Sequence, residues 1–282
     1  MTVADTTRAG ADEALPTRPR WTRLLPGASM SPPLRLLERN IVAWRGMWLI
    51  FISVMVEPVF FLFSIGIGVG KLVGDVTLSS GQVVTYREFV AAGLLASSAM
   101  MGPVFDSTFN FFIKLKYIHT YQATLATPMG PRDLVVGELL WSLLRASLYA
   151  AAFLVAMVVM GLTSSWWALL CVPVALLIGF AFSGAGLGAT TYMRSFIDFD
   201  LVNLFIIPMF LFSGTFFPVS QYPTGLQWVI QCTPLYQGVA LERALVLGDV
   251  GPTLLVHVVY LAVMGTVGLW VAARRLNRLL LP

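Results

Sequence analysis

Four charged side chains, Glu57, Asp106, Glu138 and Arg145, interrupt long apolar stretches of this chain. A charge left alone near the middle of a bilayer costs at least about 2.5 kcal/mol on insertion scales, so each needs a partner, a wet cavity or a function. Glu57 stands about ten residues, and Arg145 about eleven, from the same end of its apolar stretch, which at 1.5 Å per residue puts the two at similar depth. Opposite charges at matched depth predict an ion pair between the first and third spans. Asp106 lies where it can join that pair, as does Glu138, two turns below Arg145 on the same helix face. Two roles stay open for the set: holding helices together, or contacting substrate and handling protons.

Other chemistry is excluded by type or spacing. His119 and His257 have no second His or Cys at metal-ligand spacing, so no metal is expected. Cys171 and Cys232 form no disulfide framework; they are expected as ordinary apolar-site thiols, with a bridge between them left open. The stretch GIGVGKL at 66–72 fails as a phosphate-binding loop. Ile65 stands where a glycine is required, and Leu72 replaces the Ser or Thr that ligates magnesium. Gly184, Gly186 and Gly188 miss the dinucleotide-binding spacing and lie in an apolar run, where small residues permit close helix packing. No GxSxG element occurs, and no nucleophile and base can be assembled, so the chain is not expected to be an enzyme or to bind a cofactor.

The elements that position these residues are set by composition. Hydrophobic residues make up 57% of the chain and charged residues 11%, against about 25% charged in soluble domains. This is the composition of an all-α integral membrane protein. The formal charge of +4 is too mild to argue for nucleic acid and is explained by basic cytoplasmic loops. Six transmembrane helices are expected at about 47–70, 89–113, 134–162, 166–193, 201–219 and 250–273, each near the roughly 20 residues needed to cross. Fourteen of the 18 Lys and Arg fall on one side of these spans and three, Lys71, Arg87 and Arg243, on the other. Both termini are therefore expected in the cytoplasm.

Three segments outside the spans carry the organisation. Residues 1–33, proline-broken and polar, are expected as a disordered cytoplasmic tail. Over 34–48, Leu34, Leu37, Ile41, Trp44 and Trp48 recur at three- and four-residue steps while Arg35, Glu38, Arg39 and Arg45 fall on the opposite face. That pattern predicts an amphipathic helix in the headgroup plane, in contact with membrane lipids; a cytoplasmic extension of the first span is the alternative. Residues 113–138 form a charged loop in which Tyr117 and Tyr121 suit a headgroup boundary and Pro128 and Pro131 break the backbone. The part from 117 to 126 is long enough for a short helix outside the bilayer, a surplus that suggests a docking surface.

The stretch 201–241 carries no Asp, Glu, Lys or Arg, and as one helix it would run about 60 Å, twice the bilayer core. Pro218, Pro223 and Pro234 cut its second half into pieces too short to cross. One span followed by a re-entrant helical hairpin satisfies both constraints, provided protein or a wet cavity covers the irregular backbone. Phe212, Phe216, Phe217 and Tyr236, with Gly214, Pro218 and Pro234 shaping the chain, are candidates for an outer gate or for an anchor of that hairpin.

Taken in order, KLKYIHTYQATLATPMGPRDLVVGELLW, FLFSGTFFPVSQYP and PLYQGVALERAL resemble the ABC-2 class of exporter permeases, and within it the NodJ group for lipo-oligosaccharides and the daunorubicin-exporter permeases. The resemblance runs from about Leu34 to the end. It implies a six-span subunit that pairs with a second copy of itself and binds two copies of a separate ATPase, which would carry the ATP and magnesium. It places the ATPase-coupling segment on 117–129, with Tyr117, Thr120, Tyr121, Thr127, Pro128 and Met129, and the re-entrant region on 216–240. The family often has His after the PLY triplet; this chain has Gln237. The architecture carries over on this basis, and a substrate does not. The implied function is export of an amphipathic lipid-linked saccharide or lipophilic drug from the inner leaflet of the cell membrane. The alternatives are a proton-coupled secondary transporter using Glu57, Asp106 and Glu138, for which an inverted repeat would be expected and none is visible, and a membrane enzyme or scaffold.

Overall fold

The computed structural model describes residues 31–44, 46, 48–78, 81–118, 120–125 and 129–280, the side chains of 48–55, 57, 67, 122, 123 and 125 excepted. The expected tail lies outside the described residues up to position 30. Helix α1, Pro32–Trp44, begins at the proline pair that was assigned to that tail, because proline is pre-organised for a first helical turn. Then come α2, Trp48–Gly68; α3, Gly70–Val73; and two short antiparallel strands, β1, Asp75–Thr77, and β2, Val83–Thr85, in which Val76 pairs with Val84. This hairpin corrects the all-α expectation: DVT and VVT are too short to register as strands by periodicity.

Helix α4, Tyr86–Phe105, starts at a reciprocal cap in which the Thr85 hydroxyl accepts from Glu88 N and Thr85 N donates to Glu88 Oε2. It continues through a π-helical turn, Asp106–Asn110, into α5, Phe111–Lys116. The widening has a local cause. Ser107 and Thr108 donate their hydroxyls to the carbonyls of Pro103 and Val104, at 2.7 and 2.6 Å, competing with backbone donors just after a proline. Helix α6, Thr120–Leu125, is the expected short helix between spans. Helix α7, Pro131–Val159, has proline in its first turn and Asp133 Oδ2 accepting from Gly130 N at 3.0 Å. A 3-10 turn, Trp166–Leu170, leads into α8, Cys171–Thr190.

Helix α9, Asp198–Phe212, begins three residues earlier than expected and stops seven residues before position 219, because Gly214 takes a φ of 78° that ends the helix. Its 15 residues span only about 22 Å. Helices α10, Thr224–Gln231, and α11, Pro234–Leu247, follow as a broken pair, and α12, Leu254–Leu280, closes the chain. Among the described residues, four helices are long and apolar enough to cross a membrane: the continuous Tyr86–Lys116, Pro131–Val159, Trp166–Thr190 and Leu254–Leu280.

Helix α4 lies at the centre of the packing, buried along most of its length against α7, α8 and α11. The glycines of α8 work as expected from their spacing. A Cβ at Gly184 would lie 2.4 Å from the Gly265 carbonyl oxygen, and one at Gly188 would lie 3.1 Å from that of Gly268, so α8 and α12 meet backbone to backbone. Cys171 and Cys232 are both free thiols.

Candidate functional site

The π turn aims Asp106 sideways at α7, where Arg145 Nη1 donates to Asp106 Oδ1 at 2.6 Å. Arg145 Nη2 donates to Tyr149 at 3.1 Å, and the guanidinium lies 4.6 Å from the centre of the Trp44 ring, so the pair is enclosed by aromatic surface. Asn110 Nδ2 adds a bond to the same Asp106 oxygen at 2.7 Å. Two turns nearer the α6 end, Lys114 Nζ bonds both oxygens of Glu138, at 2.8 and 2.7 Å. Glu138 thus takes its own partner and is not joined by hydrogen bond to Arg145. The two pairs alternate in sign and clamp α4–α5 to α7. Of the expected Glu57–Arg145 pair, the Glu57 side chain lies outside the described residues.

The same clamp carries the segment between spans. Tyr121, expected at a headgroup boundary, is 0% exposed, its ring 5.2 Å from that of Phe111. Burial, and then the nearby Glu138 carboxylate, push its phenol well above the usual range. Tyr117 does stand outside, 56% exposed, with its ring 4.9 Å from that of Phe196. Thr120 and Met129 are partly buried, while Thr127 and Pro128 lie outside the described residues. Arg39 of α1 donates to Thr124 of α6 at 3.3 Å. Helix α1 packs its Leu36 against Gly137 of α7, where a Cβ would come within 2.8 Å. Its Arg35 and Arg39 are exposed, as are Leu34 and Ile41; Trp44 is half-buried, 5.9 Å from the Trp141 ring, and Arg45 lies outside the described residues.

At the opposite end the broken chain is held by donors to which sequence reading gave no such role. Arg243 Nη2 donates to the Gly214 carbonyl at 2.7 Å and to that of Phe89 at 3.4 Å, with its guanidinium over the Phe89 ring. Gln237 Nε2 donates to the Gln231 carbonyl at 2.5 Å, and its own oxygen accepts from His257 Nδ1. Tyr260, one turn on from His257, donates to the Cys232 carbonyl at 2.8 Å. Three of the four aromatics expected at a gate or anchor find separate partners: Phe212 meets Tyr222, Phe216 meets Phe210, and Tyr236 meets His257. Phe216 is 8% exposed and Phe217 49%. Pro218 precedes a 3-10 turn, and Pro234 occupies the first turn of α11. The signal that could have found Arg243 is its position as the first cation after the charge-free stretch.

Two cavities open along α4. One of about 510 Å³ lies between the π turn, α7 and α9, where Phe105, Phe109, Phe196 and Phe199 surround Arg145 and Asn203. The other, about 230 Å³, continues past Met101 and Gly102 toward Phe61, Phe153 and Phe210.

The family model for ABC-2 type transporters matches residues 34–247, from α1 through the end of α11. The chain belongs to the ABC-2 type transporter family. It is a multi-pass protein of the cell membrane. Among curated proteins it is similar to nodulation protein J of Rhizobium leguminosarum bv. viciae, 32% identical over 252 residues, 87% of this chain and 95% of that protein. Nodulation protein J of Rhizobium leguminosarum bv. trifolii is 32% identical over 260 residues, 91% and 97% of the two chains. That of Rhizobium meliloti (strain 1021) is 32% identical over 248 residues, 87% and 92%. ABC-2 family membership places the chain among membrane transport subunits, which are not themselves catalysts.

Proposed function

We propose that this chain is the transmembrane subunit of an ATP-driven exporter, in which α6 engages a separate ATPase and passes its motion to the spans. The observation that supports this most is the mounting of α6. Tyr121 is sunk into the bundle, Arg39 ties Thr124 to α1, and Lys114 with Glu138 locks the preceding and following helices together. A lever needs that stiffness, since a segment that gives way under load transmits nothing. Two copies of the chain and two of the ATPase would form the assembly, with ATP and magnesium held on the ATPase. In this reading α2 and α9 complete six spans, α10 and α11 form a re-entrant hairpin on the outer side, and both termini lie in the cytoplasm. The cargo is an amphipathic lipid-linked saccharide or a lipophilic drug taken laterally from the inner leaflet. Exposing its apolar part in an aqueous pore would cost about 0.8 kcal/mol per CH2.

The proton-coupled alternative finds little support. Asp106 and Glu138 are each bonded to a cation of a neighbouring helix, at 2.6 and 2.7 Å, contacts that join helices and need no proton carrier to account for them.

The test is reconstitution of this chain together with a candidate ABC ATPase. Thr120→Ala and Tyr117→Ala, both at the α6 segment, are expected to leave cargo binding intact while lowering export per ATP hydrolysed. Tyr121→Ala is unsuitable because it removes a buried anchor. Unchanged coupling in the Thr120, Tyr117 double variant would sink the assignment.

A further inference from the structure

The two cavities beside α4 adjoin at Met101 and Gly102, which line both, and their chemistry selects a kind of head group. The larger carries its polar atoms on facing elements: Arg145 on α7, Thr108 on the π turn and Asn203 on α9. Asn203 is unusual in its setting. It is an exposed carboxamide near the middle of α9, among Leu201, Leu204, Phe205 and Ile207, all exposed and apolar. No hydrogen bond from its side chain occurs among the described residues, although a polar group there is expected to face protein, water or ligand rather than lipid. The cavity it faces is walled by paired rings, Phe105 stacked on Phe109 at 5.0 Å and Phe199 edge-on to Phe109 at 5.5 Å.

Charge decides between ligand classes. An anionic head would need a cation to neutralise it, yet the Arg145 charge already faces Asp106 at 2.6 Å. A cationic head would need a carboxylate, and among the described residues none lines the larger cavity, Asp106 being turned to Arg145 and Asn110. What the cavity offers is a carboxamide that both donates and accepts, a Thr108 hydroxyl oxygen with a lone pair to spare beyond its bond to Val104, and aromatic faces. That set suits an uncharged, hydroxyl- or amide-rich head with an apolar face, as a sugar ring has. The smaller cavity, reached past Met101 and Gly102 and lined by Phe61, Leu94, Phe153 and Phe210, suits the apolar tail.

We propose that the groove between the π turn, α7 and α9 binds the uncharged polar head of an amphiphile, with Asn203 as the residue that reads it and the cavity beyond Gly102 taking its chain. Naming the bound molecule as cargo rests on the exporter reading; the existence of the site does not.

The experiment uses the full chain in lipid nanodiscs without ATPase, labelled by a photoreactive alkyl glucoside, with crosslinked peptides located by mass spectrometry. Octyl glucoside, octyl phosphate and octyltrimethylammonium serve as competitors of equal chain length. Labelling is expected within 101–109 and 196–206, displaced about tenfold better by the glucoside than by either charged amphiphile. Asn203→Leu should weaken labelling about tenfold, and Phe199→Ala should weaken it independently, while Leu204→Ala on the same helix leaves it unchanged. Labelling elsewhere, equal displacement by the phosphate or ammonium compound, or indifference to Asn203→Leu overturns the site. If the groove goes unlabelled while the α6 variants uncouple export as expected, the site falls and the exporter reading stands.

Discussion

The two ends of the molecule are held together by different chemistry. At the α6 end, long continuous helices satisfy their own backbones apart from the π turn, where Thr190 donates to the Ser107 carbonyl, and are joined by ion pairs between side chains, Lys114 with Glu138 and Asp106 with Arg145. At the α10–α11 end the chain is broken at Gly214, Tyr222 and Cys232, and side-chain donors go to the freed carbonyls: Arg243 to Gly214, Gln227 to Tyr222, Gln237 to Gln231 and Tyr260 to Cys232. The difference follows from what each backbone lacks. A regular helix has no carbonyl to spare in its interior, whereas broken backbone in a poorly hydrated setting must borrow donors or lose several kcal/mol per group. Ion pairs then fix how helices sit against one another, and carbonyl caps keep an irregular segment in one shape.

The comparison can be broken most severely at Arg145. Arg145→Met leaves Asp106 as an uncompensated buried charge and is expected to cost about 3–5 kcal/mol, seen as a large fall in melting temperature in detergent. The double variant Asp106→Leu, Arg145→Met should recover much of that loss. If the double variant melts no higher than the single one, the pair is not what holds α7 to the π turn.

Arg243→Met is the matching test at the other end. It strands the Gly214 carbonyl and is expected to cost about 1.5–3 kcal/mol, with faster hydrogen exchange around 212–216 and little change near α6. A uniform change along the chain would mean the two ends are not separate structural units. Tyr260→Phe sharpens the same point, removing one neutral bond to Cys232 for about 0.5–1.5 kcal/mol.

The smallest effect concerns the turn before α9. Asp198 accepts from the backbone N–H groups of Arg194 and Ser195 at 2.6 and 3.1 Å, and these bonds hold its carboxyl below the usual range. A depressed folded-state value stabilises above the unfolded value, and that contribution is lost as pH falls through the folded one. Asp198→Asn should therefore melt slightly below the parent near neutral pH, the gap closing once pH drops well under the ordinary carboxylate value of about 3.9. A gap that persists in acid would point to a cause other than the charge.

Legibility differed by residue. The short helix α6, the proline start of α7 and the close packing at Gly184 could be read because each depends on local backbone demands. The buried state of Tyr121 could not, since an amphipathic ring suits a headgroup boundary and a pocket equally well. That Asp106, one of the carboxylates expected near Arg145, bonds it directly could not be read either. Matched depth is a one-dimensional argument, and it takes the rotation of each helix to bring Asp106 across to Arg145.

By itself the sequence determined that this chain lives in a membrane, which stretches are apolar helices and that 201–241 must be broken, because composition and the Pro and Gly punctuation act locally. Only the tertiary structure decided which charges meet, which carbonyls Arg243 and Tyr260 cap, and that Asn203 shares a cavity with Arg145. Helices that are apolar all round carry no periodic signal to say which face turns inward. That choice is made by packing between neighbours distant in sequence, such as the backbone contact of Gly184 with Gly265.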